Sequence, residues 1–418
     1  MTTSLRIVLI LFAISLLSGA ATGNQLAYQL SYLWAILLLG SWAWSYFSVR
    51  GLKIERKART LRAQVGQVFE ERFEIQNPTR LPRLWVEIRD ESSLPGSEGS
   101  RVLTLVEPNQ NRSYLARTRL MQRGAFPLGP TILASGDLFG LFPINFKTMP
   151  ADSLLVYPLI VEVQNFPNPP GLLPGGEALR RRTPQVTPNA AGVRDYVHGD
   201  PLSRIHWLSS ARRNRLMVKE FELDPLADVW IFVDAQAEVQ CMRPMEAPTY
   251  SNQAIWQRDI KIKLPPSTSE FAISSAASIA RHYLRRGRAV GLVSAGQFMG
   301  LLPPDRGERQ LGKILESLAL LRMEGDIPLR GLIETQAKHI TRGSTVIVIT
   351  PSVSEDVILI FDYISRRGLR PIAVLLDSST FGGPTGSVDL IERVKTMGIP
   401  VRRVDCDVEL ALSLSSNR

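Results

Sequence analysis

Cysteine is almost missing from this chain: there are two in 418 residues, Cys241 and Cys406. Two thiols make neither a four-cysteine zinc site nor a multi-bridge disulfide framework, and nothing in their use demands an oxidising compartment. Histidine is scarce as well, with four in all. No G-x-S-x-G serine is present, which removes the nucleophile of one hydrolase class. Internal repeats and low-complexity tails are absent too. The most informative absence is local. Residues 7–49, 43 in a row, contain no Asp, Glu, Lys, Arg or His. An ordinary cytosolic protein does not carry such a run.

One helical crossing of a bilayer needs about 20 residues, so the run is long enough for two. Residues 5–21 and 26–47 are its apolar halves, with Gly23-Asn24-Gln25 as the polar turn between them. Trp34, Trp42, Trp44, Tyr46 and Phe47 cluster toward the end of the second half, as an interfacial belt would. Residues 1–49 are therefore expected to form a two-helix transmembrane hairpin, and residues 50–62 a basic juxtamembrane segment. That segment holds Arg50, Lys53, Arg56, Lys57, Arg59 and Arg62 against one acid, Glu55. Positive charge on the inner side puts both termini and the soluble domains in the cytoplasm. The competing reading is a cleaved signal peptide ending near Ser18-Gly19-Ala20-Ala21.

Net charge is +10, and two stretches hold all of it. Residues 1–62 carry seven basic residues and one acidic; residues 170–222 carry nine and five. The remainder is balanced. A nucleic-acid-binding protein would spread its basic charge over a folded face with aromatics interleaved, so no nucleic-acid partner is expected. The juxtamembrane cluster reads as a topology signal and a contact for anionic lipid headgroups.

Residues 63–163 alternate apolar and polar positions in short runs, such as Phe69, Phe73 and Ile75, or Leu84, Val86 and Ile88. Turn formers separate the runs and no helical pattern intervenes, which predicts an all-β, sandwich-like domain. Residues 164–191 turn to Pro and Gly and read as a linker. Over 223–418, β-branched runs at 229–233, 289–293, 345–349 and 371–376 alternate with amphipathic helical faces, for example Val357, Ile360, Phe361 and Ile364. Strands covered on both faces and separated by helices predict a doubly wound, parallel α/β domain.

Ligands of such a sheet bind beyond the carboxyl ends of its strands, so the loop Asp234-Ala235-Gln236-Ala237-Glu238 is the first place to look for a divalent cation. The loop after the third run, Thr350-Pro351-Ser352, offers no carboxylate to complete an oxygen shell. No cofactor is expected. Gly307-Glu308-Arg309-Gln310-Leu311-Gly312-Lys313-Ile314 has the spacing of a phosphate-binding loop, but Ile314 stands where a hydroxyl should hold magnesium. His198, Asp200 and His206 lie close in sequence without matching a standard metal-site spacing.

The densest constellation is residues 192–222. It holds Arg194-Asp195-Tyr196, His198-Gly199-Asp200-Pro201, Arg204-Ile205-His206-Trp207, Ser210-Ala211-Arg212 and Leu216-Met217-Val218-Lys219-Glu220-Phe221-Glu222. Asp200 and Pro201 read as the N-cap and first residue of a helix that carries Arg204, His206 and Trp207. Two roles compete for the block. One is an internal arginine–carboxylate brace; the other is a binding surface with Arg and Trp anchors.

At these residues the chain resembles the bacterial and archaeal family called domain of unknown function fifty-eight. Gly136-Asp137-Leu138-Phe139-Gly140-Leu141-Phe142 also resembles that family's Asp-Pro-Phe-Gly-Leu-Phe turn, with Leu138 in place of Pro. The resemblance implies a membrane-anchored protein of the bacterial inner membrane whose last domain is similar to a von Willebrand factor A domain and which works beside a MoxR-type AAA+ ATPase. It further implies that Asp234, Gln236 and Glu238 occupy a metal-ion-dependent adhesion site, degenerate because two serines and the aspartate expected at Pro351 are missing. The expected function is thus a non-enzymatic scaffold. Its contact residues would be Arg194, Asp195, Tyr196, Asp200, Arg204, His206, Trp207, Arg212 and Lys219. The alternative is a metal-dependent enzyme using His198, Asp200, His206 or Asp234.

Overall fold

The computed structural model describes residues 2–97, 100–148, 152–167, 190–198, 200, 202, 205–221, 228–244 and 263–416. The chain divides into two compact units at Leu159/Ile160.

In the first unit, α1 (Thr3–Thr22) and α2 (Gln25–Val49) pack against each other as a hairpin. The side chains of Thr2 and Asn24 cap them, accepting from the N–H groups of Leu5 and Leu26. Gly23, at φ +68°, closes α1 in a left-handed conformation that costs glycine nothing. Both helices are long and apolar enough to cross a membrane. A Cβ on Gly19 would stand 3.3 Å from the Tyr28 ring, so a small residue lets the helices approach there.

Ten strands follow. β1 (Lys53–Ala58), β3 (Val68–Gln76) and β6 (Asn111–Arg119) form one antiparallel sheet. β5 (Ser100–Val106), β4 (Arg83–Asp90), β8 (Thr131–Ser135) and β9 (Ile144–Thr148) form a second. Phe73, Ile75 and Ala116 of the first share a core with Val86, Ile88 and Leu133 of the second, so alternation along each strand becomes two sheets over one apolar layer. A third sheet, β2 (Arg62–Gln64), β10 (Ser153–Tyr157) and β7 (Gly124–Pro127), closes a second core around Phe69, Leu120, Leu154 and Val156.

One expectation about the juxtamembrane charges needs correction. Residues 53–58 are a strand, and the Arg56 side chain is only 11% exposed. Its guanidinium meets Glu71 at 2.7 Å and Asp90 at 2.9 Å, so it braces the β-unit and is not free for lipid headgroups. Burial pushes the Glu71 carboxyl above its ordinary pKa despite that pairing.

In the second unit, β11 (Ala190–Asp195) and β12 (Met217–Phe221) make a two-stranded antiparallel ribbon with α3 (Trp207–Arg213) between them. The main sheet runs β15 (Met299–Asp305), β14 (Val290–Ala295), β13 (Val229–Val233), β16 (Thr345–Thr350), β17 (Arg370–Leu376), β18 (Val401–Val404). Counted from β13 this is the doubly wound order 3-2-1-4-5-6. The sheet is mixed, because β15 pairs antiparallel with β14. Pro303 and Pro304 hid β15 from the sequence reading; an edge strand tolerates them because one of its sides donates to no neighbour.

Phe232, Val346, Val348 and Ala373 face a core closed by α6 (Leu329–Gln336), α7 (Asp356–Arg366) and α8 (Ser387–Thr396). Alternate residues of the same strands, Ile231, Val233, Ile347 and Ile349, are equally buried on the face where α4 (Thr268–Arg285) packs. α5 (Glu308–Leu320) and α9 (Leu410–Ser415) flank α4. Gly312 and Lys313 lie inside α5, so the phosphate-loop spacing is part of a helix and cradles nothing.

The start of the expected linker is ordered onto α4. Tyr283 donates to the Pro167 carbonyl and Phe166 packs edge-to-face with the His282 and Tyr283 rings, while just ahead of the linker the Val161 N–H donates to Ser278 Oγ at 3.0 Å. The rest of that stretch, residues 168–189, lies outside the described residues.

Candidate functional site

The sheet's topological switch lies between β13 and β16, whose carboxyl ends carry Asp234 and Thr350. The Asp234 N–H donates to the Ile349 carbonyl at 2.9 Å, extending the ladder and aiming the carboxylate at the next strand. There Thr350 Oγ1 donates to Oδ2 at 2.6 Å, and the Gln236 N–H donates to Oδ1 at 3.2 Å. Asp234 is 2% exposed and Thr350 is fully buried. Burial pushes the Asp234 pKa up, and the two hydrogen bonds only partly offset it.

Around this pair the switch point is filled. The Gln236 amide turns away to Glu238, and Gln240 Nε2 donates to the Asp234 carbonyl at 3.0 Å. Gly325 exchanges hydrogen bonds with Ala235 and Ala237, and a Cβ there would stand 1.9 Å from the Ala295 carbonyl oxygen. Its backbone is thus pressed across the ends of β13 and β14. Pro351 is buried and its carbonyl accepts from Ser378 Oγ. After β17, the buried Asp377 accepts from Ser379 Oγ at 2.7 Å and from Arg403 at 2.6 Å. Burial acts to raise the Asp377 pKa, but these partners outweigh it and the pKa lies below the ordinary value. Thr350, Asp377 and Arg403 were not singled out from the sequence. Only Thr350 left a signal, as the hydroxyl before the inspected Pro351.

The residue 192–222 block has a different build. Arg194 grips Asp200 with two parallel hydrogen bonds, both 2.7 Å, and Asp200 Oδ2 also accepts the Val197 N–H at 3.0 Å. Asp200 therefore closes the loop after β11; Pro201, the expected first residue of a helix, lies outside the described residues. The cap of α3 is His206, whose Nδ1 accepts the Ser209 N–H at 3.2 Å and faces Ser209 Oγ at 2.7 Å. Ser210 Oγ donates to the His206 carbonyl at 3.0 Å and accepts the Met217 N–H at 2.9 Å, bolting α3 to β12. Ile205, Met217 and Val218 are buried beneath. Tyr196 joins the ribbon through its N–H to the Leu216 carbonyl, and Asp195 pairs with Arg215 at the surface. Arg212 and Lys219 are exposed. Arg204, Gly199, Pro201 and Glu222 lie outside the described residues.

Four apolar side chains of this block stand exposed among the described residues. Trp207 is 69% exposed, Leu202 69%, Val197 62% and Leu208 61%. The sequence reading singled out Trp207 and passed over the other three, which reach the surface only because the ribbon and helix bury the residues between them.

The metal-enzyme set is not one site in this geometry. Asp200 belongs to Arg194, His206 Nδ1 to Ser209, and Asp234 to Thr350. Among the described residues no group of three or more His, Cys, Asp or Glu side chains comes together. Burial raises the pKa of both Cys241 and Cys406, the opposite of what an activated thiol needs.

Residues 192–243 match the model of a family described as protein of unknown function DUF58. A relative described as uncharacterized protein YeaD, from Bacillus subtilis (strain 168), is 23% identical over 348 residues, 80% of this chain and 79% of its own length. Among solved structures, the CARDB domain of the PF1109 protein from Pyrococcus furiosus aligns at 12% identity and a TM-score of 0.18, covering 25% of this chain and 91% of that one. A GH20 exo-β-N-acetylglucosaminidase from Vibrio harveyi aligns at 8% identity and a TM-score of 0.17, covering 78% and 57%. Scores that low carry no argument about fold or activity. The match at the braced block and the relative that spans 80% of the chain support a DUF58 protein.

Proposed function

We propose that this chain is a non-enzymatic, membrane-anchored interaction protein. Its hairpin crosses the bacterial inner membrane, its soluble units lie in the cytoplasm, and its braced block docks another protein. The observation that carries this reading is the apolar group Val197, Leu202, Trp207 and Leu208, held outward on a backbone that Arg194–Asp200 and Ser210 keep rigid. Exposed apolar groups rimmed by charge mark interaction sites, and a pre-organised anchor loses less entropy on binding. Arg212 and Lys219 are exposed in the same block. The partner we propose, a MoxR-type AAA+ ATPase, comes from the family resemblance, as does the von Willebrand factor A-like reading of the six-stranded sheet. In that reading the adhesion site is filled by its own side chains and binding has moved to the block.

Trp207→Ala combined with Leu208→Ala tests this in the full chain. Capture of the ATPase is expected to weaken by at least roughly tenfold, the loss of about 1.4 kcal/mol, while the melting temperature stays within about 2 °C. A fall of many degrees would instead make these residues part of the brace.

A further inference from the structure

The bend between β8 and β9 carries two apolar side chains that the cores of the β-unit do not use. Leu138 is 70% exposed and Phe139 59%, while Leu141 next to them is buried. The bend lies against the helical hairpin. Thr2 Oγ1 donates to the Leu141 carbonyl at 3.0 Å, and Ser45 Oγ donates to the Phe142 carbonyl. Phe139 and Leu141 form one wall of a cleft of ≈ 600 Å³ whose other walls include Ile7 of α1 and Leu33 and Ile36 of α2. Ile7 is 54% exposed, Leu33 58% and Ile36 71%. The neighbours of Phe139 are therefore the side chains that a bilayer around the hairpin would cover.

Irregular backbone survives in hydrocarbon only where its polar groups find partners in the protein, since no water is present to serve them. Six backbone groups of this bend find such partners. The buried Asp137 carboxylate accepts the Phe139 N–H at 2.9 Å and the Phe142 N–H at 2.7 Å, and its carbonyl accepts the Gly140 N–H at 3.3 Å. The Leu141 and Phe142 carbonyls are taken by the two helix hydroxyls. Between Asp137 and Lys147 there is no charged residue. Gly140, at φ +66°, lets the chain reverse without strain.

We infer that this bend is a lipid-inserted wedge. Leu138 and Phe139 enter the same leaflet as the Thr2 and Ser45 ends of the hairpin and fix the β-unit to the bilayer face. The occupant is the lipid itself, because the apolar surface of the wedge is continuous with that of the helices. This rests on α1 and α2 crossing the membrane.

The test uses the full chain with Cys241→Ser and Cys406→Ser. Single cysteines from Phe139→Cys, Leu138→Cys, Ile36→Cys or Val102→Cys each carry a small fluorophore in phosphatidylcholine–phosphatidylglycerol vesicles. Val102, 55% exposed on β5, is the water-facing reference. Brominated acyl chains and iodide on both sides of the membrane serve as quenchers. Positions 138 and 139 are expected to be quenched by the brominated lipid as position 36 is, and to be shielded several-fold from iodide relative to position 102. Iodide quenching at 138 and 139 equal to that at 102, with 36 still quenched by lipid, overturns the wedge and leaves the spanning hairpin intact. Shielding from iodide without lipid quenching means that a protein covers the bend, and overturns it too. Failure of lipid quenching at 36 removes the hairpin reading and the wedge together.

Discussion

The switch point of the six-stranded sheet and the braced block lie in the same unit but are built in opposite ways. At the switch point, Asp234, Thr350 and Asp377 are buried, Asp234 and Thr350 pair with each other, the half-buried Arg403 pairs with Asp377, and the backbone at Gly325 is pressed against the ends of β13 and β14. In the block, polar side chains hold the frame and apolar ones face outward. A doubly wound sheet ordinarily binds its ligand where this one is sealed. The proposed function therefore rests on what remains uncovered in the block and not on where such a fold usually binds.

Substitutions sharpen the contrast. Gly325→Ala should have the largest effect. A methyl group 1.9 Å from the Ala295 carbonyl oxygen forces two backbones apart, at a cost of about 3 kcal/mol or more in urea unfolding. Thr350→Val keeps the shape but strips Asp234 Oδ2 of its hydroxyl donor, for about 2 kcal/mol.

Asp234 also carries a pH signature. Its folded pKa lies above the ordinary value of 3.8, so the native state holds the proton longer than the unfolded chain does. Its contribution to stability is therefore complete below about pH 4 and is lost as pH rises through the raised value. Asp234→Asn cannot ionise, so its stability relative to the wild type should climb over that window when unfolding is measured across pH. A flat difference would mean that the carboxyl is not desolvated.

Arg194→Ala removes a two-pronged but partly exposed pair, for about 1 kcal/mol, and should show as faster amide exchange confined to residues 193–200. Trp207→Ala should change stability least. If Trp207→Ala cost as much as Thr350→Val, the contrast between sealed switch point and open block would collapse.

Much of this fold was legible in the sequence. The uncharged run marked both helices to within about two residues, the usual uncertainty of helix ends, because hydrophobic length and the Gly23-Asn24 break are local signals. The period-two runs around Phe73 and Val86 and the β-branched runs of β13, β14, β16 and β17 were visible for the same reason. Hidden were the elements whose local pattern is weak. β15 carries two prolines, β18 is four residues with two arginines, and α6 is eight residues long.

The site was less legible than the fold. The sequence marked residues 192–222 as unusual but could not sort brace from surface. That division depends on which side chain reaches which partner across the ribbon: Asp200 goes to Arg194, and His206 caps α3. Thr350 and Asp234 stand 116 positions apart, a pairing that only the parallel register of β13 and β16 creates.

The central claim is that docking occurs on the block and not at the switch point. It is tested most directly by photo-crosslinking in native membranes, with the crosslinking residue placed at Trp207 or at the exposed Glu238. The account expects a covalent adduct with an AAA+ ATPase from position 207 and none from position 238. No adduct from position 207, or an equal or stronger one from position 238, would contradict it.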